Sequence, residues 1–150
     1  MAGNATPIFS RQGSISGVAV GGTALTDSSG AGTIGTNIFK VFTADATNGS
    51  FVQRLVLSPV ATVAATATTP TTIRCYISSI TSGTSTQANT WLFAEVSAPA
   101  QTADHSTTAI APLVIPLGFI LPASYTILVT NHVVNAANTS WTAFVIAGDY

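Results

Sequence analysis

Hydrophobic and polar positions alternate along most of the chain in short runs, separated by clusters of Gly, Ser, Thr, Asn and Asp. A period of two is the mark of strands that bury one face. Residues 38–44 and 51–57 both read as strands, and Asn48-Gly49 between them supplies the positive φ of a tight hairpin turn. The sequence therefore predicts strand, turn, strand over 38–57. In residues 71–78, Ile73, Cys75 and Ile77 share one face, with Arg74 and Tyr76 on the other, giving a half-buried strand. Residues 90–96, 109–115, 125–130 and 141–147, with the small Gly-flanked segment 14–20, bring the total to about eight strands. Residues 60–69 stay open between a strand, by Val and Thr content, and a loop, by repeated Thr and the closing Pro70. Pro112 and Pro116 cannot donate to a ladder and belong at strand ends, bulges or an edge.

Helix formers such as Glu, Lys, Gln and Arg are nearly absent, so long amphipathic helices have little material to form from. The pattern predicts an all-β chain: a two-sheet antiparallel sandwich of jelly-roll type, the commonest eight-strand solution. No fixed-period repeat and no second domain emerges. Residues 38–150 make the sandwich. Residues 1–37 are a Gly/Ser/Thr-rich arm or loop with one short strand, of which 21–37 is low in complexity.

Composition narrows the function. Of 150 residues, 47% are hydrophobic but only 6% are charged, against about 25% in an ordinary soluble domain. Four Lys/Arg and five Asp/Glu are too few for a basic nucleic-acid footprint or an acidic tail, and no nucleic-acid partner is expected. Disorder is excluded as well, because disordered chains combine low hydrophobicity with high charge. The mean hydropathy of +0.49 raises the question of a membrane. The richest stretch, 109–121, is interrupted by Pro112, Pro116 and Gly118 and falls short of about 18 apolar residues, so no transmembrane helix and no membrane partner are expected. Residues 1–7 lack the basic and apolar regions of a signal peptide, so the mature chain is expected to begin at Met1 and to be made in a cytoplasm.

Candidate chemistry is sparse. Cys75 is the sole cysteine, which excludes an internal disulfide, and its apolar neighbours mark it as a small core residue. Gly30-Ala31-Gly32-Thr33-Ile34-Gly35 matches the dinucleotide-binding pattern, yet it lacks a preceding strand, a following helix and a downstream acid, so it reads as a flexible loop. Asp104-His105-Ser106 holds the residue types of a hydrolase triad, but neighbours in sequence rarely converge as a triad must. His132 ends a strand without a metal-ligand constellation around it, and no metal or cofactor is expected. Among the carboxylates, Asp27, Asp45 and Asp104 lie in turns and Asp149 is penultimate. Glu95 alone lies within a strand, as an exposed charge or the partner of an arginine. Trp91, Trp141, Tyr76, Tyr125 and Tyr150 are the material for a sugar-stacking platform, or equally for core and interface packing. No catalytic residue is assigned.

The succession Val41-Phe42-Thr43-Ala44-Asp45-Ala46-Thr47-Asn48-Gly49-Ser50-Phe51-Val52, Ile73-Arg74-Cys75-Tyr76-Ile77, Trp91-Leu92-Phe93-Ala94-Glu95-Val96, and Pro116-Leu117-Gly118-Phe119-Ile120-Leu121-Pro122-Ala123-Ser124-Tyr125, closing on Trp141 and Ala147-Gly148-Asp149-Tyr150, resembles the capsid decoration, or cement, proteins of tailed bacteriophages. The resemblance covers roughly residues 38–150. It implies a non-enzymatic virion protein on the outer capsid surface: a homotrimeric β-sandwich that bridges capsomers of the major capsid protein. The charge poverty agrees, since a surface with few charges promotes association. Two rivals are a carbohydrate- or host-surface-binding module of a phage fibre or tail, using Trp91, Trp141 and the tyrosines, and a hydrolase built on a Ser, His105 and a carboxylate.

Overall fold

The computed structural model describes residues 12–103 and 109–150. The described chain is all-β, without a helix, so none is present to cross a membrane. In chain order the strands are β1 (Gln12–Val20), β2 (Gly32–Thr33), β3 (Phe39–Thr43), β4 (Ser50–Ala61), β5 (Thr66–Ala67), β6 (Thr71–Ser78), β7 (Thr84–Ser85), β8 (Thr90–Ala98), β9 (Thr102–Ala103), β10 (Leu113–Leu121), β11 (Thr126–Asn131) and β12 (Thr139–Asp149). Two four-stranded sheets, ordered β1-β12-β4-β10 and β3-β11-β6-β8, face each other, and β2/β7 and β5/β9 form short two-stranded ribbons. All these pairings are antiparallel.

Alternation builds the core between the sheets. Trp141, Ala143 and Val145 point inward from β12, and Leu55 and Leu57 from β4. They meet Ile73 and Cys75 of β6 and Ile127 and Val129 of β11. Each fully buried large aliphatic or aromatic side chain contributes roughly 1.5–3 kcal/mol. Strand β11 is buried at every position, because Leu128 points the other way into a second cluster with Ile38 and Tyr76. The expected half-buried β6 is thus covered on both faces at Tyr76, where the chain's own Gly-rich segment lies over it.

Three expectations change. Residues 38–57 are not a hairpin: β3 pairs with β11, whereas β4 pairs with β12 and β10, so the strands lie in opposite sheets. The connection is an arch. Amides of Thr47 and Asn48 donate to Asp45 Oδ1 at 2.9 and 2.8 Å, and the Asp45 amide donates to Ser50 Oγ at 2.9 Å. Both Val41 and Phe42 are buried, so β3 needs cover on both faces, which a free-standing hairpin would not provide. Second, the strand expected over 109–115 is β10. It starts after Pro112 and runs through Pro116 and Gly118, because it is a sheet edge with a bulge between Pro116 and Phe119. Third, residues 12–20 form a long edge strand registered along β12 from Gln12 opposite Asp149 to Val20 opposite Trp141. The open segment 60–69 divides: β4 continues to Ala61, and only Thr66–Ala67 of the rest is strand.

The arch generates two predictions. Gly49 has φ +77°, and a Cβ there would collide with the Leu121 carbonyl, so Gly49→Ala is expected to cost about 1–3 kcal/mol or more in urea unfolding. Gly13→Ala, with nothing within 4 Å of an added Cβ, is expected to stay within about 0.5 kcal/mol. The Asn48 and Thr47 amides hold the Asp45 carboxyl below its ordinary value of 3.8. The ionised form is the bound one, so its contribution is full above that value and is lost as pH falls through the lowered one. Asp45→Asn is accordingly expected to flatten the fall in stability between about pH 5 and about pH 2 seen in acid unfolding series. An unchanged slope would show that the carboxylate contributes nothing to the arch.

Candidate binding surfaces

The few charged groups are mostly engaged inside the molecule. Arg74 projects from the outward side of β6, and its Nε donates to Glu95 Oε1 across the β6/β8 pairing at 2.6 Å. Its Nη1 donates to the carbonyls of Leu25 and Asp27 at 3.2 and 3.1 Å. Nη1 also lies 3.3 Å from His132 Nδ1. Glu95 and His132 therefore serve a pin that fastens the Gly-rich segment to the second sheet. Farther along, Ser85 Oγ donates to the Gly30 and Gly32 carbonyls. Gly30, at φ +71°, sits so close that a Cβ would come within 3.0 Å of the Tyr76 ring and the Thr90 methyl. Gly30 thus permits close packing on an aromatic ring, whereas a Cβ at Gly32 would meet the Asn37 side chain and one at Gly35 nothing within 4 Å. Burial raises the Tyr76 phenol above its ordinary value.

The other carboxylates are tied up locally. Asp27 accepts from the Ser29 hydroxyl and amide, which hold it below its ordinary range. Asp149 accepts from Ser50 Oγ, joining the end of β12 to the start of β4. Cys75 is fully buried, and burial pushes its thiol up to about 12. Among the described residues no group of three His, Cys, Asp or Glu side chains converges. Asp104-His105-Ser106 lies outside the described residues, as does Met1.

The aromatic candidates separate. Trp141 and Tyr76 are fully buried, so neither can stack on a ligand. Tyr150 lies at the arch, its amide donating to the Gly49 carbonyl at 3.4 Å. Trp91 is 45% exposed and stacks on Tyr125, with ring centroids 6.4 Å apart and planes 20° apart. Beside them Phe93 of β8 and Phe119 of β10 meet edge to face at 6.0 Å, across the seam where the two sheet edges approach.

One further surface was not singled out from the sequence: the outward face of the first sheet. Register places Gly17, Phe144, Val56 and Val114 in one row across its strands. The next row reads Ile15, Ile146, Arg54 and Pro116. In the row beyond, Phe51 and Ile120 stand side by side. Ile15 is 72% exposed, Ile120 60% and Val114 52%. Arg54 is the sole ionisable side chain in these rows. The signal was in the sequence: LVIPLGFIL over β10 is apolar at inward and outward positions alike, so it calls for cover on both faces.

Compared with family models, with curated proteins and with solved structures, the chain matches none of them.

The pin gives a testable consequence. Because charge-assisted hydrogen bonds contribute about 1.5–3 kcal/mol each, Arg74→Met is expected to speed amide exchange at Leu25, whose N–H donates to the Asn131 carbonyl, by about tenfold or more. Val145 in β12 should keep its protection. Equal protection of Leu25 in both proteins would show that Arg74 does not hold the segment.

Proposed function

We propose that this chain is a structural, non-enzymatic virion protein that binds the outer surface of a bacteriophage capsid and stabilises it by bridging capsomers of the major capsid protein. The observation that carries this reading is the bare, nearly uncharged outer face of the first sheet. Contiguous exposed apolar patches beyond a few hundred Å² mark sites of association, and here the patch extends across a four-stranded sheet. A homotrimer would multiply a modest contact: simultaneous engagement of several lattice subunits raises avidity without any new chemistry. The resemblance of residues 38–150 to decoration proteins agrees with the same reading.

We also infer that the sandwich is a jelly roll. The longer strands pair first with last and inward: β1 with β12, β3 with β11, β4 with β10 and β6 with β8. Successive pairs alternate between the sheets, as if one long two-stranded ribbon had been rolled up. Such folds occur in viral capsid and in lectin domains. The exposed Trp91/Tyr125 stack accordingly favours a second reading, a glycan- or host-surface-binding module of a phage fibre or tail, because aromatic faces receive the apolar faces of sugars.

Heads of the encoding virus, prepared with and without the protein, provide the test. The decorated heads are expected to rupture at a higher temperature and to carry the protein in images; an unchanged rupture temperature with no bound protein would defeat the proposal. Glycan-array binding that disappears in Trp91→Ala would establish the second reading in its place.

A further inference from the structure

We infer that the outward face of the first sheet docks on a different protein whose surface is itself apolar and presents a carboxylate to Arg54; this rests on the shell-binding reading and specifies the chemistry of its contact. The two outer faces of the sandwich are unlike. That of the second sheet is already covered around Tyr76 by the segment pinned at Arg74. That of the first sheet keeps Ile15, Val114 and Ile120 more than half exposed.

Arg54 chooses among occupants. It stands in register between Ile146 and Pro116 and, among the described residues, its side chain makes no hydrogen bond or ion pair. Docking an apolar surface over it would strip its water, which is strongly unfavourable unless the partner brings an opposite charge. Among its described residues, a second copy of this chain is a poor source of that charge. Asp27, Asp45, Glu95 and Asp149 are each engaged within their own molecule, and two such faces laid together would offer each other arginine for arginine.

Size points the same way. The apolar rows between Val114 and Ile120, about seven residues of about 3.3 Å on four strands about 4.8 Å apart, give a patch of roughly 19 by 23 Å. That is about half of the roughly 800 Å² per partner in a stable two-protein interface. One face is thus too small to hold an isolated dimer, but it suits a protein that engages a repeating lattice at several points.

The experiment uses the full chain and heads of the encoding virus assembled without it. Ile120→Lys and Arg54→Glu, both at exposed positions and checked for an unchanged melting temperature, are each expected to weaken head binding by at least about tenfold. A photo-crosslinking residue, Val114→p-benzoylphenylalanine, is expected to couple to the major shell subunit. If the native chain binds heads and both variants bind equally well, the docking face lies elsewhere while the virion reading stands. Crosslinks confined to a second copy, or to residues 1–11 of the same chain, would overturn the inference in favour of that occupant. A native chain that ignores heads altogether would bring down the virion reading and the inference with it.

Discussion

Two stacked sheets have four faces, and packing them together removes only two from water. Everything else in this molecule follows from how the remaining two are treated. The inner pair is closed by Trp141, Leu55 and Leu57 against Ile73, Ile127 and Val129. The second sheet's outward side gains its cover from within the chain: Leu128, Ile38 and Tyr76 form a separate cluster beneath a strap of small residues. For the first sheet's outward side the described residues supply no equivalent. Because β10 is apolar on both sides and Ile15, Phe51, Val56, Phe144 and Ile146 join it on the outward rows, the imbalance is a property of the sequence and not of one rotamer.

The strap also explains where scarce charge is used. A Gly-rich segment gains little from side-chain burial and loses much backbone freedom on ordering. Directional contacts must offset that loss. Arg74 supplies them by donating to two strap carbonyls while balanced by Glu95. Asp27 orders the strap's own turn, Asp45 the arch and Asp149 the closing corner at Ser50. With these carboxylates engaged in this way, the described residues give Arg54 no counterion, and among them the bare face keeps a single unanswered cation.

Strand type and approximate position were legible in the sequence, because alternation such as Ile73, Cys75, Ile77 is a local signal. Partnership was not. Asn48-Gly49 serves a hairpin and an arch between sheets equally well, since both need positive φ at one residue, and the choice is made by β11 and β12 far along the chain. The same limit hid the role of the Gly-rich segment, whose purpose becomes visible only once Tyr76 lies beneath Gly30. Aromatic residues were legible as a set but not as a site: inward or outward orientation separates Trp141 from Trp91, and no composition records it. The bare face could have been found, for residues 113–121 break alternation in the one direction that implies two apolar sides.

The rim of that face has its own bearing on how copies meet. β10 is a sheet border, and an uncovered border of backbone donors and acceptors is an invitation to open-ended stacking into fibres. Here Pro116 lacks an N–H, and the kink at Gly118, with φ +68°, breaks the straight run that an incoming strand would need. In so lightly ionised a protein, these two features keep that border from templating a further strand. Any contact made at this rim is then left to side chains, with their selectivity of shape, and not to backbone pairing.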